Sequence, residues 1–120
     1  MPKDTNEPIE QLDRVCMMEK VEGDQYLLNE LIQLFVDDAP VLLAAMRDAL
    51  EQGNMPVLER SSHSMKGAAG NLCAQATSAA AAKLEKDAKS GDAVASKHSL
   101  VNLERAVELL LLLLAQGVSK

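Results

Sequence analysis

The stretch HSMKGAAGNL, residues 63–72, places an imidazole, an ammonium and two glycines together in a segment that the surrounding sequence reads as helix. At about 100° per residue, with His63 at zero, Lys66, Gly67 and Gly70 fall within roughly 60° of it, while Leu58, Met65, Ala69 and Leu72 fall at roughly 180° to 240°. The apolar group is the core face, so His63 is expected to be exposed. Two glycines inside an exposed helix give up about 2 kcal/mol relative to alanine. The space they leave lets another surface come right up to the imidazole. A solvated imidazole titrates near 6.5, is largely neutral at cytosolic pH and keeps a nucleophilic ring nitrogen. If that nitrogen takes a phosphoryl group, the Lys66 ammonium can hold the new dianion. Ser64 and Asn71 stand on the adjoining edge as further donors, and Arg60 adds to the positive field. An inert surface histidine, with the glycines marking a close helix contact, fits the same spacing. His98 has neither glycines nor a clear partner and reads as a solvated surface residue.

The elements that would position this face follow from turn signals. Gly23-Asp24 offers a stop and then an N-cap, after which Leu27, Leu28, Leu31, Ile32 and Phe35 recur at helical spacing. The stretch DDAP is expected to end that run, since Pro40 is tolerated best in a first helical turn, and a second helix should follow almost at once. Its stripe is Val41, Leu42, Ala45, Met46, Ala49 and Leu50, and QGNMP then supplies a glycine stop, an Asn cap and a first-turn proline before the helix of His63. An Ala-rich helix closed by Gly91-Asp92 comes next, then a last helix with Leu100, Leu103, Val107, Leu110 and Leu114 as a bundle seam. A short helix over residues 9–18, with Ile9, Leu12 and Val15 or Cys16 inward, should pack across one end. Short connections favour an all-α, antiparallel, up-and-down four-helix bundle with this additional N-terminal helix. Its boundaries are a lead-in over residues 1–8, one domain over 9–116 and a tail over 117–120.

Composition agrees with such a bundle. The chain has 120 residues, 48% hydrophobic and only 2% aromatic, as befits one aliphatic helical core. A net charge of −6 excludes sequence-independent nucleic-acid binding and attraction to an anionic membrane. Cys16 and Cys73 are too far apart in sequence for a C-x-x-C metal pair and read as small core fillers. The N-terminus lacks the apolar stretch of a signal peptide, which predicts a cytoplasmic protein. The run Leu109 to Leu114 is too short to span a bilayer, which takes about 20 apolar residues. It exceeds one seam, so Leu112 or Leu113 should face outward; self-association as a homodimer or packing on a neighbouring domain would bury them. Scattered leucines at a fraying terminus fit as well.

HSMKGAAGNL resembles the signature of histidine-containing phosphotransfer (HPt) domains, His-x-x-Lys-Gly followed by small residues. LLNELIQLFVDDAPVLLAAM, residues 27–46, is similar to the segment those domains place before the signature, and AAKLEKDAKSGD, residues 81–92, to the one after it. The resemblance implies a phosphorelay intermediate of two-component systems. His63 would accept a phosphoryl group from the aspartyl-phosphate of one receiver domain and pass it to the aspartate of another. Lys66 would be the charge partner, Gly67 and Gly70 the clearance for the receiver, and Glu59, Arg60, Ser64 and Asn71 docking or phosphate contacts. Partners would be response-regulator receivers and a hybrid sensor histidine kinase. The family pattern often has a glycine where Cys73 stands, so the helix could end or turn differently there.

The sequence holds no P-loop and no acidic cluster suited to Mg²⁺, so no cofactor is expected on this chain and nucleotide and metal should belong to partners; the resemblance implies that the receiver brings the Mg²⁺. The chain is then a phosphohistidine carrier and not a kinase. A histidine-kinase dimerisation helix fits less well, because that family has an acidic residue after the histidine and a proline soon after, where Ser64 and MKGAAG stand here. A docking module whose His63 is never phosphorylated is the second alternative.

Overall fold

The computed structural model describes residues 12–117. Five helices follow one another: α1 (Arg14–Lys20), α2 (Gln25–Gln52), α3 (Met55–Asn71), α4 (Gln75–Lys89) and α5 (Ala93–Gly117). Helices α2 to α5 form the expected up-and-down bundle, in which α3 packs on α2 and α4, and α5 on α4 and α2. The ends are set by local chemistry. Asp13, Asp24, Asn54 and Asp92 accept hydrogen bonds from the backbone N–H three residues on. Gly53 and Gly91 turn left-handed at the ends of α2 and α4. The seam residues Leu58, Met65, Ala69 and Leu72 of α3 and Leu103, Val107, Leu110 and Leu114 of α5 are all buried.

Pro40 does not end a helix: α2 runs unbroken through it. A proline in a helix interior lacks the N–H that would bond the carbonyl four residues back, at about 3 kcal/mol. Phe35 and Ala39 before it, and Leu43 and Met46 after it, form one continuous buried stripe, while Pro40 itself is exposed where water can serve the freed carbonyl. Tertiary packing therefore outweighs the local break. This continuity gives four main helices.

The N-terminal helix also differs from its expected bounds. It starts at Arg14, capped by Asp13, and buries Met17, while Val15 is exposed and Cys16 half-buried. Leu12 packs against the core as expected, and Ile9 lies outside the described residues, as do the lead-in and residues 118–120.

The two cysteines are not separate core fillers. Cys16 and Cys73 are joined in a disulfide across a sequence separation of 57, with Cα atoms 6.1 Å apart. It ties α1 to the turn between α3 and α4. Closing a loop of that size is worth about 4 kcal/mol in the chain-entropy description. Cys73 stands at φ 56°, in the left-handed place that glycine usually takes after a helix. Its N–H reaches the Gly70 carbonyl and that of Ala74 the Ala69 carbonyl, so α3 ends in the same double-bonded turn a glycine would give.

Between α4 and α5 lies a buried polar joint. Asp87 accepts from Ser99 Oγ and from Lys83 Nζ, and Ser90 Oγ caps the Asp87 carbonyl. Burial pushes the Asp87 carboxyl up, but the bonds from Lys83 and Ser99 outweigh it and hold the group below its ordinary range. At the other end, Leu112 is 59% exposed, as expected of the leucine run, and Leu109 also meets solvent.

Candidate functional site

The core stripe of α3 turns His63 outward, and 66% of its side chain is exposed. Its Nδ1 lies 3.0 Å from Glu85 Oε2, and the other oxygen, Oε1, lies 3.0 Å from Lys66 Nζ. A carboxylate on α4 thus bridges the imidazole and the ammonium of α3. The turn from Leu72 to Ala74 sets this register: antiparallel pairing across it brings residue 63 level with about residue 84. Ser78 Oγ on α4 donates to the Lys66 carbonyl and fixes the two backbones against each other.

The Lys66 hydrogen bond holds the Glu85 carboxyl below its ordinary range; partial burial opposes this, and the bond to His63 adds to it. Glu85 is therefore ionised at neutral pH and can only accept. The hydrogen it shares with His63 belongs to Nδ1, and in the neutral imidazole Nε2 then carries the free lone pair. Held at one nitrogen, the ring presents its other nitrogen to solvent.

The glycines lie where the wheel puts them. Gly67 is exposed and a Cβ there would meet nothing within 4 Å, while at Gly70 it would come 4.0 Å from Ser78 Oγ. Of the other candidates, Arg60, Ser64 and Asn71 are exposed and Glu59 is half-buried. By the same wheel Arg60, Ser64 and Asn71 stand on the edge toward α2, and Glu59 stands on the edge toward α4, about 40° from His63.

The sequence reading left the contribution of the preceding helix unassigned. Arg47 pairs with Glu104 of α5, which identifies the flank of α2 that faces α5. Leu27, Leu34 and Val41 lie about 120° to 160° round the helix from Arg47, on the outer flank toward α3. All three are exposed, Val41 by 68% and Leu34 by 56%, so Leu27 and Val41 lie outside the buried stripe in which their spacing had placed them. Antiparallel pairing across residues 53–54 brings Val41 level with about Lys66 and Leu34 with about the end of α3. An apolar edge thus borders the glycine side of His63. Glu85 was the other residue missed, although the turn signals around residues 72–75 and a count back along α4 would have singled it out.

Among the described residues no cluster of three or more His, Cys, Asp or Glu could hold a metal ion, and no described helix is long and apolar enough to cross a membrane. No curated protein and no solved structure matches the chain significantly. The model of the Hpt domain family matches residues 30–116, from the second turn of α2 to the end of α5, and so includes the whole His63 face. The chain belongs to the Hpt domain family, the helical phosphocarrier modules of two-component phosphorelays.

Proposed function

We propose that His63 is the phosphoacceptor of a receiver-to-receiver relay. The supporting observation is the bridge from His63 Nδ1 through Glu85 to Lys66. Nε2 attacks the phosphorus of an aspartyl-phosphate on a receiver domain, the phosphorus–oxygen bond breaks, and the aspartate leaves as carboxylate. The Nδ1 proton stays on the ring, where Glu85 balances the cationic phosphoimidazole. Lys66 turns from Glu85 to the phosphoryl oxygens, joined by Ser64 and Asn71. The reverse sequence delivers the group to a second receiver. Little covalent machinery is needed, because positioning and charge supply most of the catalysis in phosphoryl transfer.

Mg²⁺ and nucleotide belong with the partners in this reading, and the chain acts as a carrier in the cytoplasm between a hybrid sensor kinase and a response regulator. The receiver docks over Gly67 and Gly70 and covers the Leu34 and Val41 edge, with Arg60 and Glu59 at the rim. Exposed Leu109 and Leu112 are what a homodimer would cover, and a concentration-independent monomer mass in sedimentation would remove that second proposal.

The test is label transfer from a phosphorylated receiver to wild type and to His63→Gln. Acid-labile, base-stable label on wild type alone is expected. Equal receiver binding by both proteins, with label on neither, would leave a docking module and refute the relay.

A further inference from the structure

We propose that the Cys16–Cys73 disulfide is a reversible redox site, opened by a protein dithiol of the thioredoxin class, and that its opening releases α1 from the end of the His63 face. The coupling to transfer rests on the function proposed above; the release of α1 does not.

Besides the disulfide, helix α1 is held by a few apolar side chains, with Leu12 and Met18 packed partly buried against the core. It is seven residues long and buries Met17, with Val21 at its cap. Isolated helices shorter than about 12 residues are marginal in water, so tethering decides whether it stays. Both α1 and Cys16 also precede residues 30–116, the part of the chain that the family model matches. Met17 and Val21 join a core whose other members lie in α2 to α5 and the turns between them. The disulfide thus staples an added arm to a unit whose helices already pack on one another.

The bond is reachable from one side. Cys16 is half-buried and Cys73 is 6% exposed, and both line an open cleft with Lys20, Gly70 and Ser78. A thiolate entering the cleft attacks Cys16 Sγ, the S–S bond breaks, and Cys73 leaves as thiolate. Cys73 directly precedes α4, whose N-cap residue Ala74 makes no side-chain cap hydrogen bond. The amide dipoles at that end, and Lys20 in the same cleft, favour the departing anion. The second thiol of the reductant then attacks the mixed disulfide and frees Cys16. Two electrons pass from the dithiol to the cystine, leaving two protein thiols and one oxidised dithiol.

Gly70 joins this cleft to the site, since it lines the cleft and also stands on the His63 side of α3. With the bond closed, α1 is a fixed wall at that end of the docking face, and a preformed face loses less conformational freedom on binding. In the cytoplasm, the location proposed above and on which the redox reading also rests, lasting disulfides are rare, and those that form are mostly transient or redox-sensing.

Amide exchange on the whole chain, oxidised and after dithiothreitol, tests the release. Residues 14–20 should exchange at least about tenfold faster once reduced, with α4 and α5 changed less than about twofold, and the Cys16→Ser/Cys73→Ser protein should match the reduced form. Unchanged exchange over 14–20 would show that packing alone holds α1, and loss of protection throughout would make the bond an ordinary staple; either overturns the proposal. Receiver-driven phosphoryl uptake should slow by about threefold on reduction, and equal rates with a freed α1 would overturn the coupling. Label in neither form would remove the relay itself, while the exchange data still decide the redox site.

Discussion

Glu85 and Asp87 stand two residues apart on α4, so their side chains leave the helix about 160° apart. Glu85 meets α3 at the surface, where it holds His63 and Lys66, whereas Asp87 meets α5 in the interior, where it holds Ser99, and pairs with the exposed Lys83 of its own helix. Both carboxyls are held below their ordinary range, and in both cases a lysine hydrogen bond works against burial. What separates them is the fate of their partners. Around Asp87 the Ser99 hydroxyl is buried against the carboxylate, with Lys83 at the solvent edge, so the charge secures an interface. Around Glu85 the imidazole keeps a free nitrogen and the ammonium is within reach of solvent, so the charge prepares a reaction. One helix can thus serve stability on one face and chemistry on the other, and substitutions should separate the two.

The largest effect should come from Asp87→Ala, which strands Ser99 in the α4–α5 interface and should cost about 2 kcal/mol in urea unfolding. Label uptake per folded molecule should stay at the wild-type rate; a matching loss of uptake would merge the two faces. Glu85→Ala should do the reverse, slowing uptake by about tenfold through loss of imidazole positioning while leaving stability within about 0.5 kcal/mol. Smaller again is Gly67→Ala. With open space around the added Cβ it should stabilise α3 by about 1 kcal/mol and yet slow receiver-driven uptake, since it fills the clearance beside His63. An unchanged rate there would mean the receiver does not approach over Gly67.

The smallest contrast is in acid. Asp87 has a folded pKa below its unfolded value, so its stabilisation is fully present above the ordinary aspartate range and is lost as pH falls through the folded value. The gap in stability between wild type and Asp87→Asn should therefore be widest near neutrality and narrow as pH falls below the ordinary aspartate range. The corresponding Glu85→Gln gap should be narrower at every pH, because that pair is screened by water.

Residues whose roles are set by local spacing were legible in the sequence. The α3 wheel gave both the core stripe and the outward His63, and the α5 seam from Leu100 to Leu114 is buried as spaced, because periodicity reports directly on which face meets the core. Pro40 misled for the opposite reason. Its local cost is real, but a buried stripe running from Leu28 to Ala49 outweighs it, and that stripe is visible only when both sides of the proline are read as one helix. Glu85 and the Cys16–Cys73 bond depend on pairing between elements, which no single-helix pattern encodes. The disulfide went unread because a 57-residue separation has no periodic signature, and because the left-handed turn at Cys73 was known only as a place where glycine is usual.

The central claim is that Glu85 holds Nδ1 and leaves Nε2 to react. Nitrogen-15 and phosphorus-31 NMR of the phosphorylated protein, read for the one-bond coupling between phosphorus and ring nitrogen, tests it directly. Coupling to Nε2 of His63, with Nδ1 still protonated, is the predicted result. Phosphorus on Nδ1, or on any residue other than His63, would contradict the account.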